Sequence, residues 1–146
     1  MMELIHYGSS KFDPEKFKPV MDSVLFVKPW GGLWTSPVDS EHGWREWCLS
    51  ANPHMLGKES FKLSFSGNIF VIDSRTDLDK LQWETAYGCE ILTFPRWEPL
   101  IEQGFDAVHL TWRGQCSTRL VFPRNLYGWD CESVLVMNPK AITLIS

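Results

Sequence analysis

The chain has 146 residues, 44% of them hydrophobic and 22% charged, and a formal net charge of −4. That size and balance describe one compact domain over residues 1–146 rather than a disordered tail, and the acidic balance excludes a general attraction to phosphate backbones. No apolar run approaches the roughly 20 residues needed to span a bilayer, and MMELIHYGSS lacks the charged-then-apolar layout of a signal peptide, so a cytoplasmic protein without a membrane partner is expected.

Eight Trp, nine Phe and three Tyr supply flat faces that serve a core or stack on a ligand ring. Cys48, Cys89, Cys116 and Cys131 form no CxxC pair, and His6, His42, His54 and His109 have no HExxH spacing. Reduced thiols and no metal are therefore expected.

In chain order, Glu3–Tyr7 reads as a first strand ending in Gly-Ser-Ser, and Asp13-Pro14-Glu15 as the start of a helical turn. Val24–Val27 is β-prone until Lys28-Pro29-Trp30-Gly31-Gly32 breaks it, and Leu33-Trp34-Thr35 resumes an extended segment closed by Ser36-Pro37. Acidic Asp39 and Glu41 ahead of Trp44, Trp47 and Cys48 predict a helix. Phe61–Phe65 alternates apolar with polar and Ile69–Ile72 is continuously apolar, which predicts a hairpin around Gly67-Asn68. Short helices are expected from Asp77 and from Pro95–Trp97 to Gly104. Phe105–Leu110, Leu120–Phe122, Ser133–Met137 and Ala141–Ile145 read as strands, with Asn138-Pro139 as the turn between the last two. More strand than helix, without a regular βαβ rhythm, predicts an α+β fold with mixed or antiparallel sheets and short peripheral helices.

Four segments carry the functional reading: Leu4-Ile5-His6-Tyr7-Gly8-Ser9, Gly32-Leu33-Trp34-Thr35-Ser36, Gly104-Phe105-Asp106-Ala107-Val108, and Glu132 through Ile142. In this order and spacing they resemble the ADP-ribosyltransferase fold, especially its His-Tyr-Glu branch, over nearly the whole chain. That family has His, Gly and a small hydroxyl residue on its first strand, Gly-hydrophobic-Tyr on the second, and a catalytic Glu opening a late strand. Two departures stand out. Trp34 replaces the Tyr, keeping a ring but not its hydroxyl, and Tyr7 separates His6 from Gly8. Strand alternation lets one of His6 and Tyr7 face a cleft, and the sequence leaves open which.

The resemblance implies NAD⁺ as substrate, no metal, Glu132 as the catalytic carboxylate, and Asp130, two residues earlier, directing the acceptor from a Tyr127–Asp130 loop. It also implies NAD⁺ contacts from His6, Tyr7, Gly8, Ser9, Trp34, Thr35, Ser36, Trp44 and Trp47. Cleaving the nicotinamide glycosidic bond builds positive charge on the ribose, which a fixed, ionised carboxylate offsets. Ser9 and Thr35 also suit turn capping, and the three Trp residues also suit a core. The expected activity is transfer of ADP-ribose to a protein or nucleic-acid acceptor, or to water. By fold-level analogy, a toxin-like role with a neutralising partner protein suits this size. The alternative is a non-catalytic, aromatic-rich module, or a degenerate transferase fold, that binds a nucleotide, sugar or protein.

Overall fold

Alternating apolar side chains build the sheet. The computed structural model describes residues 1–23, 26–86 and 89–145. Among these, the strands are β1 Met2–Tyr7, β2 Leu33–Pro37, β3 Ser60–Phe65, β4 Ile69–Ile72, β5 Gln82–Ala86, β6 Cys89–Arg96, β7 Ala107–Leu110, β8 Ser133–Val136 and β9 Ile142–Ile145. The helices are α1 Trp44–Ala51, α2 Glu98–Glu102 and α3 Trp112–Thr118, with short 3₁₀ segments at Pro14–Lys16, Pro53–Met55, Arg75–Lys80 and Pro139–Ala141. The fold is mixed α+β and mostly strand. No helix among the described residues is long and apolar enough to cross a membrane.

One seven-stranded sheet has the order β4-β7-β8-β2-β1-β3-β9, and β5-β6 form a separate ribbon. Neighbours in the large sheet are antiparallel except β4 and β7, which run parallel. The sheet is covered on both faces. From β8, Val134 and Val136 join a core with Leu4, Leu63, Phe65 and Ala107, while Leu135 joins one with Ile72, Leu100, Leu110, Trp97 and Trp129. A central strand buried on both faces should be continuously apolar rather than alternating, and every residue of β8 is buried.

Several local expectations hold. Asp13 caps the Pro14 turn by accepting from the Glu15 amide at 3.0 Å, whereas the helix expected from Asp77 is a 3₁₀ segment that starts earlier, at Arg75, with Asp77 accepting from Ser74 N at 3.0 Å. Asn138 caps the Pro139 turn by accepting from Lys140 N at 3.0 Å.

Two expectations are corrected. Phe61–Phe65 and Ile69–Ile72 are both strands, but they do not form a hairpin: β3 pairs with β1 and β9, and β4 with β7. The cause lies at Gly67-Asn68, where Asp106 accepts from Asn68 N at 2.8 Å, and the Asn68 carbonyl accepts from Asp106 N at 2.7 Å. These bonds turn the chain onto β7. Leu120–Phe122 forms no strand, and both Leu120 and Phe122 are exposed. The Asn138-Pro139 turn does lie between the last two strands, and it carries the chain from the central β8 to the edge strand β9. Of the expected Val24–Val27 strand, residues 24 and 25 lie outside the described residues, and Val27 belongs to no strand.

β2 joins two halves of the sheet. Leu33, Trp34 and Thr35 pair with β8, whereas Ser36 and Pro37 pair with Ile5 and Leu4 of β1. Beyond Ile5 and Ser36, β1 and β2 no longer form a ladder among the described residues.

Candidate functional site: an aromatic cleft beside the β1–β2 junction

Where β1 leaves β2, a cleft of about 290 Å³ opens, lined by Ile5, His6, Tyr7, Lys28, Trp34, Thr35, Trp44, Met55 and Ser133. The approach to β2 is a tight turn. Gly31 and Gly32 have φ of +75° and +73°, and a Cβ on Gly31 would lie 2.2 Å from the Pro19 carbonyl oxygen. Only glycine suits that combination of conformation and space, so the Gly-Gly pair fixes where β2 begins.

Each ring is held by a neighbour. The His6 Nδ1–H donates to the Trp34 carbonyl at 2.7 Å, bridging the strands where their ladder has stopped. Its ring also lies 5.1 Å from that of Phe61. Trp34 meets the buried Trp129 edge-on at 4.8 Å, and Trp129 lies 5.2 Å from Trp97. Trp44 is stacked on Trp47 at 5.2 Å. The α1 start is capped from a distance: Ser36 Oγ accepts from Trp44 N at 2.8 Å and donates to the Glu132 carbonyl at 2.9 Å. Thr35 Oγ1 donates to the Val134 carbonyl at 2.7 Å. Burial and the Glu46 charge raise the Tyr7 pKa against a smaller opposing effect of Arg45, so its hydroxyl is a neutral donor at physiological pH.

Five of the residues implied to contact NAD⁺, namely His6, Tyr7, Trp34, Thr35 and Trp44, therefore meet on one cleft. Both His6 and Tyr7 line it, where alternation allows only one, because the β1–β2 ladder ends beside them and the His6 ring reaches across the opening to the Trp34 carbonyl. Trp47 backs Trp44. Ser9 lies in an adjoining hollow that shares His6, and Gly8, at φ +121°, donates its amide to the Glu59 carbonyl at 3.0 Å.

The two acidic residues part company, correcting the expectation that they share a cleft. A bend at Cys131 separates Asp130 from Glu132, so their spacing does not put them on one face of a strand. Asp130 lies 3.8 Å from the ammonium of the cleft-lining Lys28. Glu132 instead lines a different hollow with Glu3, Pro37, Asp39 and His109. Its Oε1 accepts from Ser40 Oγ at 2.5 Å and its Oε2 from His109 Nε2 at 2.8 Å. Burial pushes the Glu132 pKa up, but the hydrogen bonds from His109 and Ser40, with the charges of His109 and His42, outweigh it and hold the carboxyl below its usual range. Of the expected acceptor-facing loop, Tyr127 is exposed but Trp129 is fully buried in the core.

Lys28 and Met55 are the cleft residues that the motifs did not indicate, and Lys28 is the charged one. Its ammonium lies 5.2 Å from the Trp34 ring centroid and 5.8 Å from that of Trp44. The sequence signal was a Lys-Pro-Trp-Gly-Gly break just ahead of an aromatic strand. The four cysteines are free, and burial lifts the Cys131 thiol to about 11, too high for a thiolate nucleophile at neutral pH. Among the described residues, no group of three or more His, Cys, Asp or Glu is arranged to hold a metal ion. Compared with family models, curated proteins and solved structures, the chain matches none of them.

Proposed function

We propose that the cleft binds the nicotinamide end of NAD⁺ and that the protein transfers ADP-ribose to a macromolecular acceptor or to water, on an ADP-ribosyltransferase-like fold. The observation carrying this reading is the convergence of His6, Tyr7, Trp34, Thr35 and Trp44, distant in sequence, on one cleft where two strands part. Indole faces suit a planar ring, and two polar tips, His6 held on the Trp34 carbonyl and the Tyr7 hydroxyl, suit a carboxamide and a ribose hydroxyl. Asp130 is the carboxylate linked to this cleft through Lys28, and it takes the electrostatic role against the ribosyl cation. Glu132, tied to Ser40 and His109, holds the β8 entry in place. A toxin-like setting would add a neutralising partner protein.

The test is release of nicotinamide from NAD⁺ by the wild type, Asp130→Asn and Glu132→Gln. Asp130→Asn should cut turnover by about a hundredfold, the size of losing one preorganised electrostatic contact, while Glu132→Gln stays within a few-fold of wild type. The opposite ordering would return catalysis to Glu132. A second reading, a binding module without turnover, is favoured by one observation: both oxygens of the carboxylate heading β8 are engaged away from the cleft. Saturable NAD⁺ binding with no nicotinamide released would establish it.

A further inference from the structure

Lys28 places a positive charge against the two indoles that the proposed ligand ring would use. Its ammonium lies 5.2 and 5.8 Å from the Trp34 and Trp44 ring centroids and 3.8 Å from Asp130 Oδ2. Both ring distances fall within the ~6 Å reach of a cation–π contact, an attraction between a cation and the negative face of the ring. Two aromatic walls with a carboxylate counter-ion are what a flat organic cation requires, and here the chain's own ammonium supplies the cation. The Lys28 side chain is about one-third exposed, so it can swing into solvent without breaking a buried network.

We infer that Trp34, Trp44 and Asp130 form a slot for a pyridinium-type cation, and that Lys28 is an internal stand-in which such a ligand displaces. This rests on the NAD⁺ reading of the same cleft and adds a reason for release. While the glycosidic C–N bond is intact, the nicotinamide ring is cationic and competes with Lys28 for both indoles and for Asp130. When that bond breaks, its electron pair stays on the ring nitrogen and the ring becomes neutral. The ribosyl cation left behind is captured by the acceptor's nucleophilic atom, which gives its proton to solvent. The neutral product no longer matches the slot, and Lys28 reclaims it.

The probe is 1-methylnicotinamide, a pyridinium cation with no phosphate, followed by quenching of Trp fluorescence, with neutral nicotinamide alongside. Lys28→Met should bind the cation about threefold to thirtyfold more tightly than wild type, the span of cation–π strengths from exposed to desolvated sites, with a smaller gain for the neutral ring. Lys28→Gln repeats the test should the Met variant fold poorly, as judged by thermal melts. Lys28→Arg keeps the internal cation and should behave as wild type. Adding Asp130→Asn to Lys28→Met should remove most of the gain. Unchanged or weaker binding of the cation by folded Lys28→Met and Lys28→Gln overturns the proposal, because Lys28 would then not compete for the slot. Nicotinamide release from NAD⁺ is scored separately. A gain in cation binding without cleavage upholds the slot and refutes the transferase, whereas cleavage by wild type with no gain upon Lys28 replacement sinks the slot alone.

Discussion

Replacing Glu132 by Gln separates a structural carboxylate from a catalytic one. The wild-type carboxylate accepts two hydrogen bonds, from Ser40 Oγ at 2.5 Å and His109 Nε2 at 2.8 Å, and its side chain is 15% exposed. A Gln amide has one oxygen, so one donor would face an NH₂ group. Hydrogen bonds to charged groups contribute about 1.5–3 kcal/mol, and the loss of one predicts a fall in melting temperature of about 5–9 °C for a chain of this size. The pH dependence gives the sharper test. The folded pKa of Glu132 lies below its ordinary value, so its contribution is fully present above the unfolded pKa, roughly 4.3. That contribution fades as pH falls through the depressed folded value, where a protonated Glu132 resembles Gln. Urea melts of both proteins from pH 7 to pH 3 should show a gap that is wide at neutral pH and closes in acid. A gap that stays constant with pH would refute the claim that the charge of Glu132 holds this corner together.

Other perturbations test the remaining contacts. Gly114→Ala would put a Cβ 2.0 Å from the Ile72 carbonyl oxygen, between α3 and β4; overpacking predicts a loss of about 3 kcal/mol in denaturant melts, and a neutral result would mean α3 is not packed that closely. Asp22 accepts from the amides of Trp97 and Glu98 at 2.5 and 3.2 Å and from Arg96 Nε at 3.3 Å. Asp22→Ala should therefore cost about 2–3 kcal/mol, with hydrogen exchange quickening first at those two amides. His6→Ala removes the bridge to the Trp34 carbonyl and should weaken NAD⁺ binding, measured by Trp quenching, more than Tyr7→Phe, which keeps its ring. The reverse order would shift the weight of the site to Tyr7.

Local patterns were legible in the sequence and their partnerships were not. The alternation in Phe61–Phe65 and the apolar runs at Ile69–Ile72 and Ser133–Val136 announce strands through side-chain placement alone. Nothing local says that β4 runs parallel to β7, since that depends on Asp106 accepting from Asn68 N, 38 residues away. The β5–β6 ribbon went unseen because Gln82-Trp83-Glu84-Thr85-Ala86 is largely polar, and the α3 sequence Trp-Arg-Gly-Gln-Cys-Ser-Thr has weak helix formers and a glycine. Its start is set by Thr111, whose side chain accepts from Gly114 N at 3.0 Å. Conversely, Leu120–Phe122 is apolar enough to mimic a strand yet is exposed. For the site, residue types identified the aromatic wall, but the directions of Asp130 and Glu132 depended on a single bend at Cys131. A motif cannot encode such a bend.

The position of β8 bears on how the molecule comes into being. Residues 133–136 supply the strand between β7 and β2, and the Thr35 hydroxyl bonds to the Val134 carbonyl across 99 positions of chain. Such distant pairing is slow to form because a long loop must close first. During synthesis, β2 and β7 must wait with bare edges, open to mispairing, until this late segment emerges. Thr35 and Ser133 both line the cleft, so a nascent chain lacks a finished site and acquires it in one step. Whatever the cleft binds, a partly made chain cannot yet hold it.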